Sequence, residues 1–185
     1  PRITLLAHNN GGWRSLCRLL TSLHTHKASS NSMLKRNGSP ILTLDFLQHF
    51  SEYSQNLLVL HGPESPVGAA IALRRPELAL ECFMQTREFF ADHAIECVSH
   101  LAPGDGPRST AHAARSLIFA RDQRIPAVIT NAVRMRDRDD GPIADILDSA
   151  RQLVPLHARH VERTNAEGFL KSISEMVALA EDSSR

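Results

Sequence analysis

The chain has little of what would tie it to a specialised setting. It holds no apolar run near the ~18 residues a membrane-spanning helix needs, and no signal-peptide pattern opens it. Its three cysteines, Cys17, Cys82 and Cys97, are odd in number and far apart. Each lies in an apolar periodic segment, which reads as small buried hydrophobes in a reducing compartment, not as disulfides or a zinc knuckle. No G-x-x-x-x-G-K-[ST], G-x-G-x-x-G or C-x-x-C occurs, so neither a nucleotide cradle nor covalent catalysis has support. A net charge of +1 excludes a global field that would draw the chain to nucleic acid or a membrane. A cytoplasmic location is the expectation.

What remains is an ordinary globular composition, with 185 residues that suffice for one sizeable core. Charge is uneven: residues 1–60 carry six Lys/Arg against two acids (Asp45, Glu52). That is a solvated surface, or a local basic face for DNA. The chain opens inside a strand-like run, Pro1-Arg2-Ile3-Thr4-Leu5-Leu6, without Met, and so reads as a fragment.

Four strand patterns stand out: ITLLAH (3–8), NLLVLHG (56–62), AIECVSHL (94–101) and PAVITNAV (126–133). Helical patterns follow each of them. The first runs from Gly12 with Trp13, Leu16, Cys17, Leu20 and Leu23 on its apolar stripe. Residues 27–40 are a loop by composition and the best candidate for disorder, and Thr43 can cap a short helix after them. Pro76 suits the first turn of a helix within 74–90, and further helices are expected over AHAARSLIFARDQR and GPIADILDSARQLV. Thr164 and Glu167 have capping-box spacing for a last helix through Phe169, Ile173, Met176 and Leu179. This alternation with nearly all-apolar strands predicts an α/β fold, parallel strands with outer helices.

In such folds ligands sit beyond the carboxyl ends of the strands, so His8, His61, His100 and Asn131 are the positions to search. Converging imidazoles would suit a divalent metal, but no carboxylate ends a strand. Glu96 lies deeper on the His100 strand, and Asp137, Asp139 and Asp140 read as a solvated turn. His24 and His26 end a helical pattern, where i and i+2 diverge by about 200°. His157 and His160 have no third ligand, and Ser109 and Ser116 no paired His and Asp; surface or turn positions are the plainer reading.

The residues do resemble a family. Leu5-Leu6-Ala7, Asn9, Gly12-Trp13 and Arg14-Ser15-Leu16, then LLVLHG, ECVSH and IPAVITNAV in order, resemble the PHP (polymerase and histidinol phosphatase) domain of the bacterial DNA polymerase III alpha subunit. RHVERTNAEGFLKS is similar to its error-prone, damage-inducible paralogue, and the resemblance covers nearly the whole chain. It implies part of a distorted (β/α)7 barrel within a translesion polymerase, organised as a domain over residues 1–150 followed by a helical linker over 151–185. Among the family's readable metal ligands only His100 is retained, beside Glu96; Pro63, Ala132 and Arg134 replace the others. A fixed cation at Arg134 would repel a metal ion. The implied segment is structural, has no catalytic residue and holds no cofactor, with magnesium serving the parent polymerase elsewhere. Implied partners are DNA, the sliding clamp and accessory mutagenesis proteins, and a dimer could cover an open sheet edge. Two alternatives stay open: a metal-dependent phosphoesterase or 3′–5′ exonuclease, and a DNA-binding module using the basic first third.

Overall fold

The computed structural model describes residues 2–25, 35–36, 39–40, 42–49, 51–157, 160–161, 163 and 165–184. Along the chain run β1 (Thr4–Ala7), α1 (Asn10–Thr25), the two-residue strands β2 (Lys35–Arg36) and β3 (Ser39–Pro40), and α2 (Leu44–His49). Then come β4 (Leu57–His61), α3 (Pro66–Ala72), α4 (Pro76–Arg87), β5 (Asp92–Val98), α5 (Thr110–Asp122), β6 (Ala127–Thr130), α6 (Gly141–Gln152) and α7 (Ile173–Ser184). Four strands form one sheet in the order β1–β4–β5–β6. The expected alternation of strands and outer helices is therefore present. Most of residues 27–40 lies outside the described residues; within it β2 and β3 pair as a small antiparallel ribbon.

One expectation is corrected. β4, β5 and β6 are parallel, but β1 runs antiparallel to β4, with Thr4 opposite Leu60 and Ala7 opposite Leu57. Side-chain alternation fixes which residues share a face, but it says nothing about strand direction. Direction follows from the connection, which here contains both α1 and α2 and returns the chain reversed.

Registry sorts the sheet into two unlike faces. Leu5, Val59, His93, Ile95, Cys97 and Ile129 share the odd-numbered face. Both apolar clusters draw their strand residues from this face alone. One joins Leu57 and Val59 to Leu19 of α1 and Phe46 and Leu47 of α2. The other joins Ile95 and Cys97 to Val67 and Ile71 of α3, Phe83 of α4 and Phe119 of α5. On the even face, Leu60, Ala94 and Val98 are buried at the centre, whereas Leu6 on β1 and Val128 on β6 are 46% and 39% exposed.

Local signals explain most helix starts. Thr43 accepts from the Phe46 amide at 3.1 Å, and Pro76 opens α4, as the sequence predicts. α3 is an addition: Ser65 accepts from the Gly68 amide at 3.0 Å, and Pro66 occupies its first turn. Gly68 is required there, because a Cβ would collide with the Gly62 carbonyl oxygen. The last helix begins later than its expected cap. Thr164 lies outside the described residues, Glu167 sits in an extended stretch, and the reciprocal cap is made by Ser172 and Glu175. α7 then buries Leu179 and packs on α5 and β6, so the described end of the chain lies against the sheet domain. Among the described residues no helix is long and apolar enough to cross a membrane.

Candidate functional site

At the carboxyl ends of β4, β5 and β6 lies a cleft of about 310 Å³. Its walls include Pro63, Glu96, Ala132 and Arg134, which the sequence singled out, and Arg2, Glu64 and Arg108, which it did not. Reversal of β1 explains Arg2: the amino end of that strand lies at the same mouth. Arg108 lies within the turn-rich APGDGPRS and adopts a left-handed backbone (φ 66°) before the α5 cap, Ser109.

The cleft is polar but internally neutralised. The Glu64 carboxylate is hydrogen-bonded by Arg108 and lies 3.6 Å from Arg2. Arg134 donates to both oxygens of Asp148 on α6, at 2.7 and 2.8 Å, so its charge is compensated from outside the cleft. Glu96 accepts from the Thr130 hydroxyl at 2.7 Å, and its other oxygen lies so close to Gly62 that a Cβ there would displace the carboxylate.

His100 is buried beside this cleft and is already engaged. Its Nε2 donates to the Asn131 carbonyl at 2.8 Å, and its own carbonyl accepts from Asn165 at 2.6 Å. Burial holds its pKa below the usual imidazole value. Asn131 in turn donates from Nδ2 to the carbonyls of Glu167 and Phe169, at 2.8 and 2.6 Å. The Arg134 amide donates to the Gly168 carbonyl at 2.8 Å. These bonds stitch residues 165–170 across the ends of β5 and β6. Lys171 completes the stitch, pairing with Glu167 at 2.9 Å and lying 3.8 Å from the Phe169 ring centre.

The other histidines do not converge here. His8 is at the opposite end of the sheet, its Nε2 3.1 Å from the Asp92 carboxylate, because β1 is reversed. His61 ends β4 but faces the helix layer, where it stacks on His93 (ring centres 5.3 Å apart) and tilts against Phe83. Its Nε2 lies 3.0 Å from His93 Nδ1, and His93 Nε2 donates to the Phe90 carbonyl. His61 therefore donates from Nε2 and leaves Nδ1 without a partner. Burial, with His93 adding to it, lowers its pKa to about 4.

The remaining candidates have structural duties. Ser109 caps α5 by accepting from the His112 amide, and the Ser116 hydroxyl donates to the His112 carbonyl. Asp137 and Asp140 form a reciprocal cap around a short 3-10 turn. His24 is exposed at the end of α1, and His26 lies outside the described residues. His157 packs edge-on against His160. Cys97 is buried and its thiol pushed up to about 12, but Cys17 is exposed, against expectation, because α1 turns Leu16, Leu19 and Leu23 inward instead.

The donor set does not fit a resident metal. Pro63 and Ala132 offer no ligand atom, the Nε2 of His100 is spent on a carbonyl, and Arg134 brings a guanidinium to the wall. Among the described residues no three His, Cys, Asp or Glu side chains are grouped to hold an ion. Compared with known protein families the chain matches none, and no curated protein is significantly similar to it.

Proposed function

We propose that the chain is part of an error-prone DNA polymerase of the bacterial polymerase III alpha type, and that this portion is a PHP-type domain without metal chemistry. The observation that carries the reading is convergence. Pro63, Ala132 and Arg134, which the resemblance assigns to one former metal site, line one cleft at the strand ends together with Glu96.

On this reading β4–β5–β6 with their helices on one face are an arc of a distorted (β/α)7 barrel, whose remaining wall would lie over the other face. The antiparallel β1 is the element such a barrel has to accommodate at its edge. The site's remnants serve structure: His100 and Asn131 hold the 165–170 stretch, and Arg134 anchors α6 through Asp148. Nucleotidyl transfer, with its magnesium, would belong to another part of the parent protein, as would contacts with DNA, the sliding clamp and accessory mutagenesis proteins.

Equilibrium dialysis against zinc and manganese tests the reading, together with hydrolysis of a phosphomonoester and of DNA 3′ ends. No saturable metal binding and no hydrolysis are expected. The double variant Ala132→Asp/Arg134→His should also fail to take up metal while Pro63 remains. Stoichiometric metal lost on Glu96→Gln would favour the phosphoesterase alternative instead.

A further inference from the structure

A second concavity, of about 330 Å³ and with none of the same lining residues, lies where the α3–α4 junction meets α5. Its floor is apolar and continuous with the core: Ile71 and Phe119 are almost wholly buried members of the α3–α4–α5 cluster. Ile118, on the same α5 face, is 49% exposed. Ile118 thus leaves apolar surface, beside a covered core, that a further side chain could cover.

The rim is basic. Arg74, Arg75 and Arg115 all line the concavity, with Asp122 as the only acid there. Asp105, just outside, orients two of them. Arg74 Nη2 lies 2.5 Å from one of its carboxylate oxygens, and Arg115 Nη2 donates to its backbone carbonyl at 2.6 Å. Asp122 is itself beside Arg121 at 3.7 Å. Arg75 makes no ion pair among the described residues. Three arginines thus line the concavity with one aspartate, and two of the guanidiniums are held in place by Asp105 before anything binds. Arg74 reaches its position through a left-handed backbone (φ 56°), the bend that separates α3 from α4.

We propose that this concavity docks an acidic peptide segment of a partner protein, placing one bulky aliphatic or aromatic side chain over Ile71, Ile118 and Phe119 with flanking carboxylates on Arg75 and its neighbours. Charge complementarity selects the acidic partner, and the apolar floor selects a side-chain anchor over a phosphate backbone. A nucleic acid would need an exposed ring for its bases to stack on, and Phe119 is covered. The site goes beyond the polymerase reading and does not depend on it.

Fluorescence anisotropy of the full chain with a labelled heptapeptide, a central Leu-Phe pair flanked by aspartates, tests the proposal. Saturable binding is expected, weakened at least tenfold by Arg75→Glu and by Ile118→Asp, with circular dichroism unchanged because both side chains are at the surface. A peptide with lysines in place of the aspartates, and one with serines in place of Leu-Phe, should each bind at least tenfold more weakly. Absence of binding, equal binding of either control, or indifference to both variants overturns it. So does displacement by an oligothymidylate with steep salt dependence, the mark of a nucleic-acid site.

Discussion

The two faces of the central sheet are built from the same four strands and could hardly differ more. The odd face is a finished core: Leu57, Val59, Ile95 and Cys97 are sealed by five helices. The even face is buried only at its centre, exposes Leu6 and Val128 at its edges, and carries Thr4 and Glu96 into the cleft. Stability should therefore reside on one face and the polar cleft on the other.

The largest contrast is expected from truncation on the finished face. Phe83 is buried between α4 and the sheet and touches both His61 and His93. Phe83→Ala should cost about 3–5 kcal/mol through lost burial and the cavity left behind, read from the shift in urea midpoint. A loss under 1 kcal/mol would mean the helix layer is loosely packed, and the contrast between the faces would fall.

Next in size is acid sensitivity of that same face. His61 is held near pKa 4 in the fold, against about 6.5 when unfolded, and burial lowers His93 as well. Between those two values the unfolded chain binds more protons. The His61 contribution is thus complete above about pH 6.5 and is lost as pH falls through about 4, an amount of roughly 3 kcal/mol. His61→Gln, which cannot titrate, should be less stable than the parent at pH 7.5, and the gap between their urea midpoints should narrow towards pH 4.5. A gap independent of pH would show that His61 is not buried as a neutral ring.

How much of this could be read from the sequence depends on parity and direction. Strand positions, the Thr43 cap, Pro76 and the cleft residues Pro63, Ala132 and Arg134 were all readable. Parity was readable too: His61 continues the series Leu57, Val59, and so belongs with the core, whereas Glu96 has the opposite parity to Ile95 and Cys97. Placing His61 at the mouth ignored that alternation. Direction was not readable. No pattern in ITLLAH distinguishes a parallel from an antiparallel β1, and that one reversal moved His8 away from the mouth and brought Arg2 to it. The stitch of residues 165–170 was equally hidden, since it is made largely of backbone carbonyls that carry no sequence signature.

That stitch supplies a third measurement. Asn131→Ala removes two donors and leaves the carbonyls of Glu167 and Phe169 without them. A loss of about 1–3 kcal/mol is expected, with faster hydrogen exchange concentrated in residues 165–171. If exchange there is unchanged, the stretch is held by Lys171 and Phe169 instead, and Asn131 does not hold it.

The smallest expected effect sharpens the comparison most. Leu6 has the same residue type and strand length behind it as Leu5, its neighbour, but points to the even face and is 46% exposed, whereas Leu5 packs against the α1–α2 cluster. If the even edge is open in solution, Leu6→Ala should change stability by no more than about 0.5 kcal/mol, the range of ordinary surface substitutions. Leu5→Ala, half-buried, should cost clearly more. Equal losses at the two positions would mean that something covers the even face in solution. A loss at Leu6 that grows with protein concentration would identify that cover as a second copy. A concentration-independent equality would instead place an element of this same chain over Leu6, and the division between a finished and an unfinished face would no longer hold.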